Sequence, residues 1–445
     1  MPPSSLLKAV RGTRDLLPPE TALWNHIEQT TRGVFARYGF GEIRTPIFEV
    51  TELFSRSVGE ETDIVSKEMY TWEDRARAQS EKAQSLTLRP ENTAGVVRAY
   101  IEHKLGETGQ LQKLFYLGPQ FRRERPQRGR YRQFWQIGVE VLGPPTSGSE
   151  SPVRDAEVLE MLATLLDELG VRNWQLQLNS VGSSDDRKRY NEVLRQALAG
   201  VKDRMCPDNQ RRAETNPLRV LDSKEPADQE IIDALPKIAD HLDEDSRAHF
   251  SAVLAALDAC GVPYTVNPRL VRGLDYYSRT TFEFTVPSSA DPTSGLGTQN
   301  ALLGGGRYDG LSEMLGGPKA PGIGFAIGED RLVLTLQAQS EADAASGAAS
   351  KAAPKLDAYI APMGPERNAA ALALARELRR AGISVEVGDG TFRLKKSFEA
   401  ADRVARHIVI LGEDEVATNT ATVKTFATGE QVKLERSQLT AALRG

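Results

Sequence analysis

Residues 113–143 read KLFYLGPQFRRERPQRGRYRQFWQIGVEVLG and predict a strand, a basic loop and a second strand. Aromatic and branched residues, which favour strands, are concentrated on both sides of the loop. In the second strand, the period of two places an apolar set on one face and a mixed set on the other. The mixed face comprises Phe134, Gln136, Gly138 and Glu140. We therefore expect one face of this hairpin to pack in a core and the other to form a site.

The loop carries six arginines between positions 122 and 132 and a single acid, Glu124. Like charges crowded together destabilise a fold unless an anion lies among them. A solvated charged hairpin is the plainer interpretation, but it does not require so many guanidinium groups with so few acidic partners. The composition of the loop therefore favours phosphate binding.

The overall composition is that of a globular protein with more than one domain. The chain has 445 residues, of which 40% are hydrophobic and 26% charged, and this length exceeds one ordinary core. No apolar run approaches the roughly 20 residues that span a bilayer, so we expect no membrane segment and a cytoplasmic location. The net charge of −5 argues against a generally basic nucleic-acid binder. Cys206 and Cys260 lack metal-ligand spacing and are expected to be reduced.

Upstream of the hairpin, two segments predict an edge and a corner. Pro46 interrupts the strand-like run EIRTPIFEV, which indicates an edge or interface strand. A short strand at 86–88 is followed by a helix expected from Thr93, so Glu91 and Asn92 lie at a strand-to-helix corner. Residues at such corners commonly cap the helix.

Downstream, the pattern predicts an antiparallel sheet covered by helices on one side. A helix with an apolar stripe is expected from Ser151 to Gly170, and the half-polar strand NWQLQLNS follows it. This pattern argues against a doubly wound dinucleotide fold. Residues 183–262 predict a charged helical insertion, residues 337–355 an Ala/Ser-rich linker, and residues 356–445 a small, mostly parallel α/β domain.

Three further stretches combine glycine with chemically active side chains: RGLDYY at 272–277, LGGGRYDG at 303–310 and PGIGFAIGEDRL at 321–332. Tyrosine-rich strand entries are often packing residues, and neither glycine cluster has the spacing of a Walker loop or a Rossmann fingerprint. Glycines in such strands let the backbone approach a flat ligand closely.

The hairpin resembles motif 2 of the class II aminoacyl-tRNA synthetases, and its detail FRRERPQRGRYRQFWQIGVE resembles that of bacterial histidyl-tRNA synthetases. RGLDYY resembles a signature of the same family, the segment around Pro46 resembles motif 1, and residues 321–332 resemble motif 3. The resemblance implies an α+β fold: a class II antiparallel-sheet catalytic core at 1–336 with a helical insertion, and a C-terminal α/β anticodon-binding domain.

The resemblance also implies a reaction and its partners. Histidine and ATP would form histidyl-adenylate and pyrophosphate, and histidine would then pass to the 3′ end of tRNA-His. Mg²⁺ would bridge the outer phosphates of ATP, with no metal ion held by the protein alone. Class II enzymes dimerise through motif 1, so a homodimer is implied.

Residue roles carried by the resemblance fall into four groups. The catalytic residues would be Arg122 and Arg272. Histidine would be bound by Glu91, Asn92, Thr93, Gln136, Glu140, Arg272, Tyr276 and Tyr277. ATP would be bound by Arg122, Glu124, Arg130, Phe134 and Arg331. The acceptor end of the tRNA would meet Arg125, Gln127 and Arg128.

The histidine ring offers one donor and one acceptor when neutral, and Glu140 and Tyr277 would meet these two atoms. Glu91, Thr93 and Gln136 would bind the α-ammonium group. The family usually has glycine where Asn92 stands, and we expect the turn to survive because asparagine tolerates left-handed backbone.

Two alternatives share the core: the synthetase-like regulatory subunit of ATP phosphoribosyltransferase, and another class II synthetase such as a prolyl or threonyl type. RGLDYY and the C-terminal domain argue against the regulatory subunit. RGLDYY and the GVE ending of the hairpin argue against another synthetase.

Overall fold

The computed structural model describes residues 7–59, 62, 64–74, 83–271, 276–286, 296, 300–345 and 355–444. Arg272, to which two roles were assigned, lies outside the described residues. The chain divides into two compact units, Met1–Ser350 and Lys351–Gly445. Within the described ranges, no helix has the length and apolar character to cross a membrane.

An eight-stranded sheet dominates the described part of the first unit, in the order β1-β5-β6-β11-β10-β9-β7-β8. All neighbours are antiparallel except the two end pairs, as the half-polar strands predicted. A separate three-stranded sheet has the order β2-β4-β3. The strands are β1 (Gly41–Glu42), β2 (Phe48–Val50), β3 (Tyr70–Asp74), β4 (Gln84–Leu88), β5 (Gln112–Phe121), β6 (Gln133–Leu142), β7 (Gln175–Ser180), β8 (Thr265–Val266), β9 (Ser278–Thr285), β10 (Ala301–Arg307) and β11 (Gly322–Gly328).

The helices of this unit begin and end with recognisable local signals. The fourth helix starts as predicted, because the Ser151 hydroxyl accepts from the Val153 N–H (3.4 Å) and Pro152 occupies the first helical position. The helices are α1 (Glu20–Arg37), α2 (Thr51–Val58), α3 (Thr93–Glu102), α4 (Pro152–Glu168), α5 (Ser184–Ala199), α6 (Pro207–Thr215), α7 (Leu218–Leu221), α8 (Gln229–Asp233), α9 (Glu244–Cys260), α10 (Leu311–Met314) and α11 (Glu329–Ala345).

The main core lies between one face of the large sheet and helices α1, α4, α9 and α11. Val139 of β6 and Phe282 of β9 are fully buried there with Leu162 of α4. Because one face of β6 is used in this way, its mixed face is turned away from the core and is free to form a site.

Two boundaries differ from those predicted from the sequence: the end of the helical insertion and the start of the linker. Helix α9, placed in the insertion by its sequence, buries Val253 and Leu257 in the main core, whereas the preceding helices pack around their own cluster, which includes Tyr190 and Leu194. The apolar spacing of α9 predicted a helix but not which core it joins. The linker expected from 337 begins later, since α11 continues through Ala345; residues 346–354 lie outside the described residues.

The second unit is an α/β domain with a five-stranded sheet in its described part, in the order β13-β12-β14-β15-β16. β12 pairs in parallel with β13 and β14, and β14, β15 and β16 are successive antiparallel neighbours. Its elements are β12 (Leu356–Pro362), α12 (Asn368–Arg380), β13 (Val385–Val387), α13 (Leu394–Val404), β14 (Ala405–Leu411), α14 (Glu413–Ala417), β15 (Thr420–Thr425), β16 (Gln431–Glu435) and α15 (Leu439–Arg444).

Candidate active site

A cavity of about 220 Å³ opens on the mixed face of the large sheet. Its floor is formed by backbone of β10 and β11, where Gly304, Gly324 and Gly328 occupy positions facing the cavity. At Gly324, a Cβ atom would lie 2.0 Å from Oε2 of Glu140. A larger residue there would displace that carboxylate, so glycine is required for close approach.

The buried end of the cavity is organised around Glu140, which is fully buried on β6. Thr93 Oγ1 donates to its Oε1 (2.7 Å), and the Tyr308 hydroxyl donates to its Oε2 (2.5 Å). Burial raises the pKa of Glu140 to about 8 although both hydrogen bonds act to lower it. This end therefore holds an acid that is protonated below about pH 8.

Glu91 serves both as a helix cap and as part of the cavity lining. Its carboxylate accepts from the backbone N–H groups of Thr93 (2.6 Å) and Ala94 (3.1 Å), at the start of α3, and it also lines the cavity. Burial raises the pKa of Glu91. The capping and ligand interpretations of this corner are compatible, because each carboxylate oxygen has a further lone pair.

Asn92 has neither the left-handed backbone nor the cavity-lining position that the sequence led us to expect. Its backbone has φ −120°, so left-handed geometry is not needed at the corner. The side-chain Oδ1 accepts from Thr45 Oγ1 (2.6 Å) and from Arg89 Nη1 (3.3 Å), and Asn92 is not among the residues lining the cavity. The side chain therefore ties the corner to the segment preceding β2.

Four tyrosines surround the acidic end: Tyr116, Tyr276, Tyr277 and Tyr308. The Tyr276 ring packs against Tyr277 (centroids 4.8 Å apart) and against Tyr308 (6.0 Å). Burial raises the pKa of Tyr276 and Tyr308 well above the usual range, so both remain neutral hydroxyls. A small polar ring with one donor and one acceptor suits this environment.

The opposite, more exposed end carries cations. Arg122 Nε donates to the Pro90 carbonyl (2.9 Å), and its guanidinium lies 5.2 Å from the centre of the Phe134 ring. Glu124 lies between Arg122 and Arg130, at 3.8 Å and 3.4 Å. The pair is therefore oriented by one carboxylate, which leaves the excess of positive charge that an anion requires.

Arg331, at the start of α11, completes the basic end. Its Nη1 donates to the Ala301 carbonyl (2.8 Å). Burial lowers the pKa of Arg331, and the nearby charge of Arg130 lowers it further. Two cations this close to each other create a local excess of positive charge, which favours the binding of an anion.

Of the residues proposed from the sequence, ten line this one cavity. They are Glu91, Thr93, Arg122, Glu124, Arg130, Phe134, Gln136, Tyr276, Tyr277 and Arg331. Glu140 is connected to the cavity through Thr93 and Tyr308, while Arg125, Gln127 and Arg128 are exposed in the hairpin loop.

Three residues that contribute to the site were not predicted from the sequence. Tyr308 contacts Glu140 from β10's end, and Tyr116 lines the cavity from β5. Arg14 donates to Asp330 (3.0 Å) and lies 4.7 Å from the Tyr131 ring, so the N-terminal segment supports the basic end. Alternation along β5 would have indicated Tyr116, whereas no local pattern indicates the other two contacts.

Comparisons with known proteins agree over nearly the whole chain. The family model described as Histidyl-tRNA synthetase matches residues 12–332, and that described as Anticodon binding domain matches residues 357–445. The chain is 67% identical over 435 residues to a histidine–tRNA ligase of Koribacter versatilis (strain Ellin345), covering 98% of this chain and 95% of that protein. It is 53% identical over 440 residues to a histidine–tRNA ligase of Solibacter usitatus (strain Ellin6076), covering 98% and 99%. The crystal structure of apo S. aureus histidyl-tRNA synthetase superposes with a TM-score of 0.78 at 37% identity, covering 99% of this chain and 100% of that chain.

Proposed function

The chain belongs to the histidyl-tRNA synthetase family and is an aminoacyl-tRNA synthetase that activates histidine with ATP and transfers it to tRNA; we propose how its cavity performs the first step. Histidine binds at the acidic end and ATP at the basic end. The observation that carries this assignment is the polarity of this cavity, with Glu140 buried behind one end and Arg122, Arg130 and Arg331 lining the other.

In the adenylation step, the histidine carboxylate attacks the α-phosphate in line, and pyrophosphate leaves. Such a reaction needs positioning and neutralisation of charge, not a nucleophilic side chain. Arg122 bridges the carboxylate and the α-phosphate, Arg130 binds the γ-phosphate, and Arg331 lies on the nucleotide opposite Phe134. The orientation of Arg122 and Arg130 by Glu124 supports these roles. Arg272, outside the described residues, is assigned to the charge that develops on the α-phosphate.

The histidine ring is recognised by Glu140 and Tyr277, and its α-ammonium group by Glu91, Thr93 and Gln136. A site that pairs both ring nitrogens rejects aliphatic and aromatic competitors, because they would leave buried polar groups without partners. The carboxyl group of Glu140 is held in place by hydrogen bonds from the hydroxyl groups of Thr93 and Tyr308, which supports this selectivity.

Mg²⁺ accompanies ATP in this proposal. The described residues contain no group of three or more His, Cys, Asp or Glu side chains placed to hold a metal ion, whereas Mg²⁺ is commonly held by one or two carboxylates together with substrate phosphates. Glu124 and Glu283 line the cavity and offer the oxygen ligands that Mg²⁺ prefers. When bound, the ion would neutralise charge on the outer phosphates.

Pyrophosphate exchange measured with each of the twenty amino acids tests the assignment. Only histidine should support exchange. Arg331→Ala should lower the rate on the order of 10²-fold, as for removal of one preorganised donor. The matched control is Arg172→Ala. Arg172 forms an ion pair with Asp343 of α11, the helix that also carries Arg331, but it does not line the cavity. Equal effects of the two substitutions would refute the assignment of Arg331.

We further propose that the second unit binds the anticodon region of tRNA-His. Lys396 lies 4.2 Å from the Phe392 ring, and Lys424 lies 5.1 Å from the Phe398 ring. Aromatic rings beside cations suit single-stranded bases and their phosphates. Lys424→Glu should reduce charging of tRNA while pyrophosphate exchange stays unchanged; a parallel loss of both would contradict this role. The exposed loop residues Arg125, Gln127 and Arg128 are assigned to the acceptor end.

A homodimer is proposed through the three-stranded sheet. Phe48, Val50 and Trp72 share one face in register and are exposed, with the Phe48 and Trp72 rings 6.0 Å apart. A contiguous apolar face of this kind marks an association surface. Phe48→Glu should shift sedimentation equilibrium towards monomer, whereas the control Leu372→Glu, at an exposed position in the second unit, should not.

The cytoplasm is the proposed location, because charging of tRNA serves translation there. The free thiols of Cys206 and Cys260 suit a reducing compartment. Disulfide-linked species recovered from freshly lysed, alkylated cells would contradict this location.

A further inference from the structure

An ionic cluster of five side chains lies on the side of the large sheet that packs against α4 and α9. Its members are Asp155 of α4, His249 of α9, Arg279 of β9, Arg307 of β10 and Asp309 just beyond β10. Asp155 and Arg307 are fully buried, and charged side chains are rarely buried unless they are paired. None of these five described residues lines the cavity, so the proposed chemistry does not use them directly.

The contacts of the cluster form a closed circuit. Arg307 donates to Asp155 (Nη2 to Oδ1, 2.5 Å) and to Asp309 (Nη1 to Oδ1, 2.9 Å). His249 Nδ1 accepts from Arg279 Nη1 (3.0 Å), because a guanidinium group can only donate, and this leaves Nε2 to donate to Asp155 Oδ2 (2.9 Å). Arg279 Nε lies 3.9 Å from Oδ2 of Asp309, which closes the circuit. Burial alone would raise the pKa of Asp155, but Arg307 and His249 lower it to about 2, so this member is ionised at neutral pH.

Arg279 has a backbone conformation that is unfavourable for arginine. Its φ is 47°, in the left-handed region that glycine adopts readily and larger residues rarely adopt. Such a conformation persists only where surrounding contacts hold it. Here the guanidinium contacts His249 and Asp309, and the backbone N–H donates to the Gly182 carbonyl (2.7 Å). The cluster therefore maintains a conformation that the chain would not adopt by local preference.

The strained residue lies in a bulge of β9. Gly306 of β10 pairs with Thr281, whereas the next residue, Arg307, pairs with Ser278. Residues 279–280 therefore have no counterpart on β10. A bulge of this kind bends its strand and re-aims the adjacent side chains, so the cluster determines the direction in which β9 begins.

The cluster and the bulge act on two tyrosines that line the cavity. Tyr277 lies two residues before the bulge, and a Cβ atom at Gly306 would lie 2.8 Å from its Cδ1, so this ring rests on β10. Tyr308 is flanked by Arg307 and Asp309, whose ion pair fixes the backbone on both sides of it. Its hydroxyl donates to the buried glutamate at the acidic end. Both tyrosines therefore depend on contacts made outside the cavity.

We propose that His249 and Arg279 are positioning residues: by holding the bulge of β9 and the turn after β10, the ionic cluster fixes Tyr277 and Tyr308 in the geometry that binds histidine. The inference rests on the proposed function of the cavity. It gives a role to groups that do not line the cavity. Their effect reaches histidine through the two tyrosines, whereas ATP binds at the other end.

The test uses Arg279→Gly, which removes the guanidinium group while glycine suits the left-handed backbone. A loss of function in this variant would therefore not come from backbone strain. Calorimetry should show histidine binding weaker by about 5-fold to 10-fold, the effect of one hydrogen bond lost when a tyrosine moves, and ATP binding changed by less than about 2-fold. The matched control is Asn173→Gly, because Asn173 also has a left-handed φ of 58° but is exposed and lies outside the cluster. It should change neither affinity.

Two substitutions of His249 separate positioning from simple stabilisation. In His249→Asn, the side-chain oxygen can replace Nδ1 as the acceptor from Arg279, whereas in His249→Gln the amide can replace only Nε2 as the donor to Asp155. His249→Asn should therefore retain histidine affinity within about 3-fold, and His249→Gln should lose about 5-fold to 10-fold.

Unchanged histidine affinity in Arg279→Gly, or equal losses for histidine and ATP, would overturn the inference. If Arg279→Gly does not unfold cooperatively in urea, the two His249 variants decide, and equal histidine affinities in them would overturn it. Failure of the proposed function is distinguishable, because the unaltered protein would then not bind histidine.

Discussion

Replacing Glu140 with glutamine should stabilise the protein at alkaline pH while weakening its binding of histidine. The carboxylate is fully buried and accepts hydrogen bonds from Thr93 (2.7 Å) and Tyr308 (2.5 Å). Burial nevertheless raises its pKa to about 8. The fold therefore tolerates this residue best in its protonated form, and a neutral amide of the same shape should replace that form with little disturbance.

The sign and size of the effect follow from linkage between protonation and folding. A glutamate in an unfolded chain titrates near pH 4.3, so the folded pKa of Glu140 is the higher one. Its contribution to stability is greatest below the unfolded pKa and is lost as pH rises to about 8. Between pH 6 and pH 9, these two pKa values correspond to a loss of about 2–3 kcal/mol in the free energy of unfolding. Glu140→Gln should lack this loss.

The effect is measured by urea unfolding of both proteins at pH 6, 7, 8 and 9. The quantity of interest is how the difference between their free energies of unfolding changes with pH. Glu329 is also buried, with a pKa raised to about 9 by burial, but it is present in both proteins and cancels. A separate Glu329→Gln variant should remove its own part of the pH dependence and leave histidine binding unchanged, since Glu329 does not line the cavity. A constant difference between Glu140→Gln and the unaltered protein across this range would refute the reasoning.

Above about pH 8, where the Glu140 carboxylate is charged, the same variant should bind histidine more weakly by about 1.5–3 kcal/mol, because a charged acceptor is replaced by an amide that offers a donor towards the ring N–H. ATP binding should hardly change, as the arginines lie at the other end of the cavity. Calorimetry with each substrate measures both quantities. Equal histidine affinity in the two proteins would exclude Glu140 from ring recognition.

Three further predictions concern other parts of the molecule. Arg272→Ala should lower the rate of adenylate formation by about 10²–10³-fold in single-turnover experiments, with a smaller change in histidine affinity; an unchanged rate would remove Arg272 from the step. Asp155→Asn should lower the free energy of unfolding by about 3–5 kcal/mol in urea, because Arg307 Nη2 donates to Asp155 (2.5 Å) and both are fully buried; a loss below 1 kcal/mol would mean that Arg307 finds another partner. A fragment ending at Ala345, if folded and dimeric, should retain histidine-dependent pyrophosphate exchange, while its charging of tRNA should fall much further. Equal losses of the two activities would show that the second unit is part of the catalytic fold.

Much of the fold could be read from local patterns. The alternation in β6 separated the core-facing residues from Gln136 and Glu140, because successive side chains of a strand point to opposite faces whatever surrounds them. The position of helix α4 could also be predicted, because its N-terminal cap and its apolar stripe depend only on residues within and next to the helix. The excess of arginine between 122 and 132 indicated an anion site before any distance was known.

Contacts between distant segments could not be read in this way. Tyr308 reaches Glu140 across 168 positions of sequence because β10 and β6 both pair with β11. Local propensity predicted α9 but not its core, and asparagine's tolerance of left-handed backbone did not indicate that Asn92 would bond to Thr45. Alternation and capping act over a few residues, and therefore the sequence determines which face a side chain occupies. Its partner, its burial and the pKa that results depend on the register and packing of strands far apart in the chain, which exist only once the sheet has formed.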